Sequence, residues 1–402
     1  MGNVRRLGTS ACVLAGSGSG SFTTTKPKRL EFANQLRGLA ACSVVFSHWV
    51  GVFWFMQEYL ASTTLAPAQG GPLPGMVLTT NFTWFQPGPF GVGLFFLISG
   101  LVVPISLEKQ GAGSFLAARV LRIYPTYVLG LALQLAVLLV ASRIWGHPLP
   151  YDWKTILANA FLVHDLASRP SIDLVNWTLT IELRFYLLVA VLAPWIRRGR
   201  LAAVFGPAVL ACIAALALSE PAMPSPGTLG FLTSGQLPFL VMMLAGVLFN
   251  YHVRGKLGTA GLLAGVLAMA GLTVFAWWFG VLRGQFTYVL INYAYALVLF
   301  SILYGVRRHV PSNRLLGGLA AISYPLYLVH ATLGFFVLKA FMLLVGIGYI
   351  PALCAALLTT IAAAFLLHVV VERPSIAWGH RLARRSASQQ VGSNGLAAPE
   401  LP

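Results

Sequence analysis

The sequence predicts an all-α, polytopic integral membrane bundle that crosses the bilayer about ten times, with both termini in the cytoplasm. Of the 402 residues, 57% are hydrophobic and only 9% are charged, whereas a soluble domain carries roughly 25% charged residues. The mean hydropathy is +0.78. Apolar runs such as 287–306 and 351–371 are as long as a helix that crosses the hydrocarbon region. Too few charges remain to cover a water-facing surface, which excludes a soluble fold.

Ten apolar runs of spanning length follow one another along the chain. In order they cover residues 35–55, 90–107, 120–142, 178–196, 201–219, 232–250, 257–280, 286–305, 320–344 and 350–372. An even number of crossings places both termini on one side of the membrane. The remaining composition predicts an N-terminal cytoplasmic segment without fixed structure at 1–30, a membrane domain at 31–382 and a similar tail at 383–402.

The basic residues orient the bundle. Twenty of the 27 Lys and Arg residues lie in the termini and in the loops on the same side. Only four lie in the opposite loops: Arg143, Lys154, Arg169 and Arg283. Positively charged loops stay cytoplasmic. The net charge of +17 therefore follows from topology, and we expect the lipid bilayer, not nucleic acid, to be the partner of these charges.

The first run contains two polar residues in a regular relation. Arg37 and His48 are eleven positions apart, so in a helix they share nearly one face, roughly 16 Å apart along the axis. The residues between them include several small ones that leave room for another helix or a slender ligand: Gly38, Ala40, Ala41 and Ser43. This pattern favours a functional pair. The alternative is an Arg that extends to the membrane surface and a buried His that bonds to a carbonyl group.

Glu182 is the only acidic residue deep in a predicted span, at a depth similar to that of His48. A carboxylate beside an imidazole fixes its tautomer and raises its basicity, which makes Glu182 a candidate to orient His48. The alternative is a structural salt bridge to Arg184 or another cation. His330, in the ninth run, is either a second proton carrier or a structural histidine.

Arg119 and Arg122 stand three positions apart at the cytoplasmic edge of the third run. Two arginines on one helix face suit phosphate recognition, although the positive-inside rule alone would also place them there. The four cysteines show no metal-ligand spacing, and we expect no metal site: Cys12, Cys42, Cys212 and Cys354.

Together these segments resemble the acyltransferase family 3 membrane proteins, the bacterial O-acyltransferases of sugars and polysaccharides. The resemblance runs from Leu30 to about Leu382. The motifs that carry it are the Arg37–His48 spacing, the glycine-led stretch Gly91–Gly100, the two arginines before Ile-Tyr-Pro at 119–125, Trp177–Tyr186, Ile322–His330 and Val371–Pro374. Gly93 stands where the family often has Asp, so we assign it no catalytic role. We expect no appended hydrolase-like domain of the kind that some family members carry, so an acyl relay would need a separate partner, or none.

The resemblance implies a multi-pass enzyme of the bacterial inner membrane that transfers an acyl group, usually acetyl, from cytosolic acyl-CoA to a hydroxyl of a cell-envelope or exported glycan. On this hypothesis Arg37, Arg119 and Arg122 bind the CoA phosphates and His48 takes the proton from the acceptor hydroxyl. Glu182 would orient His48, with His330 as a second proton carrier. Acetyl-CoA is then a donor substrate and not a permanently bound cofactor. The expected partners are acyl-CoA, a glycan or glycolipid acceptor, and polysaccharide-assembly proteins.

Two other functions fit the hydropathy. A transporter or flippase for lipid-linked sugar or acyl substrates would also place His and Glu inside its spans, but no pair of Gly/Pro-broken spans suggests an inverted repeat. A non-catalytic component of an exopolysaccharide complex gives no reason for the motifs.

Overall fold

The computed structural model describes residues 30–80, 84–108, 110–217, 236–379 and 381. All regular secondary structure in these ranges is helical, as predicted. The predicted terminal segments 1–30 and 383–402 lie outside the described residues, apart from Leu30. The α-helices are α1 (Glu31–Phe46), α2 (Phe53–Phe55), α3 (Gln57–Thr64), α4 (Gly75–Thr80), α5 (Pro87–Leu107), α6 (Ala112–Trp145), α7 (Trp153–Ala160), α8 (Asn176–Val191), α9 (Ala193–Arg197), α10 (Ala202–Ala217), α11 (Leu237–Val253), α12 (Thr259–Phe279), α13 (Ile291–Gly305), α14 (Arg314–Ala321), α15 (Ser323–Val329), α16 (Thr332–Ala340) and α17 (Tyr349–Leu367).

Six helical stretches in the described ranges are long and apolar enough to cross a bilayer. They are Glu31–Phe55, Pro87–Leu107, Ala112–Trp145, Thr259–Phe279, Val281–Gly305 and Tyr349–Gly379. A seventh is the pair Ser323–Val329 and Thr332–Val345, which is bent by 54°. The protein is therefore a polytopic helical membrane bundle. The count of ten and the cytoplasmic termini remain predictions, because α10 and α11 are shorter apolar helices and α8 has only 16 residues.

Helix α5 lies at the centre of the bundle and packs against α1, α11 and α13. Its crossing with α11 is close because two glycines face each other. A Cβ atom on Gly100 would collide with the Met243 carbonyl oxygen, and one on Gly246 would collide with the Leu97 carbonyl oxygen. Helix α11 is buried at nearly every position, which explains why it is hydrophobic on all sides.

The bent pair α15–α16 carries the most irregular backbone among the spans. Between the two helices lie His330 and Ala331, and a π-helical turn extends α16 over Phe341–Val345. The following α17 packs on both helices. A similar π turn, Ser47–Val52, joins α1 to α2. Both histidines of the predicted site therefore occupy places where the regular α-helix is interrupted.

Candidate active site

Two histidines from distant parts of the chain meet in the bundle. His48 lies in the π turn Ser47–Val52, and His330 lies in the break between α15 and α16. Their rings are nearly parallel with centroids 4.8 Å apart, and His48 Nδ1 is 2.6 Å from His330 Nε2. His330 is fully buried, whereas His48 is half-buried and lines a cavity. π turns are frequent at functional sites.

The backbone around His330 determines which ring nitrogen carries its proton. His330 Nδ1 lies 3.1 Å from the Leu326 carbonyl oxygen and 2.9 Å from the Tyr327 carbonyl oxygen. Because carbonyl oxygens only accept, Nδ1 carries the hydrogen, and Nε2 of the neutral ring carries the lone pair. His48 Nδ1–H must then donate to His330 Nε2. The lone pair of His48 is left on its own Nε2, which is free to act as a base.

Three buried side chains span the helix break that carries His330. Gln134 Nε2 donates to the Leu328 carbonyl oxygen at 2.6 Å and to Asp173 Oδ2 at 2.7 Å. On the other side of the break, Thr332 Oγ1 donates to Asp173 Oδ1 at 3.4 Å. A broken helix leaves carbonyl groups that the next turn no longer reaches, and such groups need partners inside a membrane. Gln134, Asp173 and Thr332, which we name the clamp, therefore fix the backbone on which His330 sits.

Trp49 fixes the same backbone from the side of His48. Its Nε1–H donates to the His330 carbonyl oxygen at 2.9 Å. The indole fits there because Gly334 on α16 has no side chain, and a Cβ atom on Gly334 would lie 2.5 Å from Trp49 Nε1. Trp49, the residue after His48, thus holds the backbone of His330 close to the His48 ring.

Glu182 has other partners than those predicted. Its Oε1 accepts from the Tyr186 hydroxyl at 2.5 Å and from the Ser99 hydroxyl at 3.4 Å. The hydrogen-bond partner of the His48 ring in the described part of the chain is His330. The direct orientation of His48 by Glu182 is therefore not observed, because Glu182 projects into a cavity beside Tyr186. A salt bridge from Glu182 to Arg184 is not observed either, since Arg184 Nη2 pairs with Asp165 Oδ2 at 2.5 Å.

The three predicted phosphate ligands have different surroundings. Arg37 and Arg122 line a cavity, together with Glu182 and Tyr186. Neither arginine has a hydrogen bond or ion pair with another described residue. Arg119 is instead buried, donates to the Ser106 hydroxyl and lies 5.1 Å from the centroid of the Tyr186 ring. The sequence pattern grouped Arg119 with Arg122, but side chains three positions apart in a helix still differ in direction by about 60°, so one can line the cavity while the other packs against Ser106.

Three cavities lie in series through the described part of the bundle. We name the cavities inner, central and outer after the predicted topology. The inner cavity, about 260 Å³, lies beside the N-terminal half of α1 and includes Glu31, Asn34 and Arg37. The central cavity is about 90 Å³ and shares Arg37 with the inner one. The outer cavity, about 370 Å³, contains His48 and shares Val92 and Tyr327 with the central one. Four of the predicted site residues thus line connected cavities, with the arginines at one end and His48 at the other: Arg37, Arg122, Glu182 and His48.

A buried ion pair supports one wall of the outer cavity. Asp165 accepts from Arg184 and, at 2.9 Å, from Gln236 Nε2, and the Gln236 side chain lines the cavity. Burial alone would raise the pKa of Asp165, but the hydrogen bonds from Arg184 and Gln236, together with the Arg184 charge, outweigh burial and hold the pKa below its usual range. The wall residue Gln236 is therefore anchored by an ionised carboxylate.

Sequence reasoning missed several residues of this site. Gln134 is a polar residue inside the third predicted span, and that signal alone could have identified it. Asp173 lies in a loop and gave no comparable signal. Tyr186 and Tyr327 belong to recognised motifs but were assigned no role. Their contacts with Glu182 and with Thr178, at 2.5 and 2.8 Å, now place both beside the central cavity.

Comparison with known proteins identifies relatives of this chain. A family profile described as an acyltransferase domain matches residues 30–369. Nodulation protein 10 of Rhizobium leguminosarum bv. viciae is 34% identical over 202 residues, which is 44% of this chain and 47% of that protein. The similarity to this relative thus spans about half of its length. No solved structure gives a significant match.

Proposed function

Because this chain belongs to the acyltransferase family 3, whose profile covers residues 30–369, we propose that it transfers an acetyl group from cytosolic acetyl-CoA to a sugar hydroxyl of a cell-envelope or exported glycan. As a member of this family, the chain is a membrane enzyme that transfers acyl groups other than amino-acyl groups. The proposal adds the donor, the acceptor class and the bacterial inner membrane as the location. The name of the Rhizobium relative gives no substrate, so the acceptor class depends on the family resemblance.

The observation that carries the proposal is the hydrogen bond between His48 and His330. It leaves the lone pair of His48 on Nε2, at the outer cavity. In the proposed reaction His48 Nε2 takes the proton from the acceptor hydroxyl while the hydroxyl oxygen attacks the thioester carbonyl carbon. The carbon–sulfur bond then breaks, and the imidazolium returns the proton to the CoA thiolate. The products are the acetyl ester and CoA.

His330 acts in this reaction as a positioning residue and a charge partner. When His48 becomes protonated on Nε2, its Nδ1–H still donates to His330 Nε2, so the hydrogen bond stabilises the imidazolium. This is the orienting role that the sequence suggested for Glu182. We propose instead that Glu182 and Tyr186 shape the central cavity, where their charge and hydroxyl face Arg37 and Arg122.

On the donor side, Arg37 and Arg122 are the proposed ligands of the CoA phosphates. Both are unpaired among the described residues and line the central cavity, and Arg37 also reaches the inner one. The central cavity, at about 90 Å³, is small enough to favour an extended pantetheine arm over a bulky ring. Arg119 is reassigned to a structural role, because it is occupied by Ser106 and by the rings of Phe115 and Tyr186.

The test is transfer of radiolabel by purified protein in liposomes. Acetyl-CoA labelled in the acetyl group is incubated with envelope glycans from the source cells, and label bound covalently to glycan is counted. We expect His48→Ala to lower this rate by about 10²–10⁴-fold. His147→Ala, an exposed histidine in an outer loop, is the matched control and should retain wild-type activity. Movement of glycan across the membrane without any label would favour the transporter instead.

A further inference from the structure

The outer cavity is large and has an aromatic and polar lining. At about 370 Å³ it is roughly four times the volume of the central cavity and has room for a ring-shaped ligand beside His48. It lies beyond Val92 and Tyr327, on the opposite side from the arginines. A second substrate that meets the donor at His48 would therefore occupy this cavity.

Two partly exposed aromatic side chains line it. Trp177, at the start of α8, is 38% exposed, and Tyr288 is 51% exposed. The Trp177 ring is held at 5.1 Å from the Phe239 ring, which packs edge to face on Trp277 at 5.2 Å. An aromatic ring that is held in place and open to a cavity offers an apolar face for stacking at small entropic cost. Sugar rings match such faces because one side of a pyranose presents mainly C–H groups.

Amide and hydroxyl groups complete the lining. Gln285 is exposed and has no hydrogen-bond partner among the described residues, and Gln236 is fixed by Asp165. Amides both donate and accept, which suits recognition of hydroxyl groups. Ser47, next to His48, adds another hydroxyl. These groups surround the atom that removes the proton from the acceptor.

Charged side chains do not line the outer cavity in the part of the chain that the structure describes. Its described lining contains no Asp, Glu, Lys or Arg. A carboxylate or phosphate placed there would lose hydration without gaining a counter-charge, which disfavours its binding. The lining thus favours an uncharged ligand.

We propose that the outer cavity is the acceptor subsite, and that it binds an uncharged sugar ring stacked on Trp177 and Tyr288 with the reacting hydroxyl at His48 Nε2. Gln285 and Gln236 contact the other hydroxyls and so determine which hydroxyl is acetylated. The inference rests on the proposed function and adds to it the side of approach and the charge of the acceptor.

The test uses steady-state kinetics with the glycan fraction that the wild-type protein acetylates. Trp177→Leu and Tyr288→Leu should each raise the acceptor KM about tenfold or more, and leave the KM for acetyl-CoA unchanged. Tyr288→Phe, which keeps the ring, should stay within a few-fold of wild type. Trp278→Leu is the matched control, because Trp278 is similarly exposed but stacks on Arg283 and does not line the cavity.

Mass spectrometry of the product identifies the acetylated sugar. An uncharged hexose or deoxyhexose is expected, and acetylation only of a uronic acid or a phosphorylated sugar would overturn the inference. So would an unchanged acceptor KM in both leucine variants, or an equal rise in Trp278→Leu. If the wild-type protein labels no glycan at all, the proposed function itself fails. The two failures are therefore distinguishable.

Discussion

Replacement of Gln134 by Leu is the most informative perturbation of this site, because Gln134 touches neither cavity nor histidine ring. Leucine fills nearly the same space and removes two of the three hydrogen bonds of the clamp, to Asp173 at 2.7 Å and to the Leu328 carbonyl oxygen at 2.6 Å. The side chain is 1% exposed, so water does not replace it. The change therefore tests whether the backbone at the helix break governs catalysis.

The structure gives the size of the effect. The Leu328 carbonyl oxygen is a buried acceptor that loses this donor, which costs about 1–3 kcal/mol. The Asp173 carboxyl keeps the Thr332 hydroxyl and loses one hydrogen bond, which costs about 0.5–1.5 kcal/mol. Gln134 Oε1 is itself buried without a partner among the described residues, and its removal offsets about 1 kcal/mol, so the net loss of folding free energy is about 0.5–3.5 kcal/mol. The loss of these bonds also misaligns His330 and His48. If this misalignment raises the activation free energy by about 1.4–2.8 kcal/mol, kcat falls about 10- to 100-fold.

The assay compares kcat, both KM values and the thermal unfolding midpoint of purified protein in detergent. Gln35→Leu is the control: Gln35 is also buried, at 6% exposure, and also donates one short hydrogen bond, to Glu31 Oε1 at 2.6 Å. We expect both variants to lose stability, but only Gln134→Leu to lose kcat at unchanged KM values. A Gln134→Leu enzyme with wild-type kcat would refute the role of the clamp. Equal loss of kcat in both variants would reduce the effect to general loosening of the bundle.

Three further predictions test the donor side, the packing and the outer wall. Arg122→Gln should raise the KM for acetyl-CoA about tenfold, whereas Arg119→Gln should lower thermal stability and leave this KM unchanged. Equal changes of KM in steady-state kinetics would contradict the assignment of Arg122 to the donor and Arg119 to the packing. Gly246→Val should prevent recovery of monodisperse protein, because its Cβ collides with the backbone of α5, and a soluble, active variant on size exclusion would contradict the close crossing. The folded pKa of Asp165 is depressed, so its stabilising contribution is complete above its unfolded pKa of about 3.9 and is lost as the pH falls through the lower folded value. As the pH falls below about 5, unfolding midpoints should therefore fall more steeply for the wild type than for Asp165→Asn, and parallel curves down to about pH 2 would refute the ionised anchor.

The sequence was sufficient for the helical membrane fold and for the identity of His48, Arg37 and Arg122 as residues along one path. These predictions depended on local physics: hydropathy over about 20 residues, and the angular period of a helix. Hydropathy and helical period can be read from the sequence because each depends on a single segment and not on how the segments pack. The family membership was also predictable, since its motifs are continuous in sequence.

The partners of the site residues were not predictable in the same way. His48 and His330 are 282 positions apart, and their contact depends on a helix break that hydropathy does not reveal. Glu182 was assigned to His48 because both lay at a similar estimated depth. Depth fixes one coordinate only, and the rotation of α8 turns Glu182 towards Ser99 on α5. Tyr186, one turn further along α8, is a neighbour of Glu182 at any rotation of that helix. Contacts between helices require the packing itself.

The partition between the central and outer cavities has a consequence for the cell's energy supply. A path of cavities through a bilayer risks leakage of protons and ions, which would dissipate the membrane potential. Val92 and Tyr327 border both cavities, and the Tyr327 hydroxyl is bonded to Thr178 at 2.8 Å. On the proposed function, in which the two substrates approach from opposite sides of the membrane, Val92 and Tyr327 would form a small apolar and aromatic septum that keeps the membrane insulating.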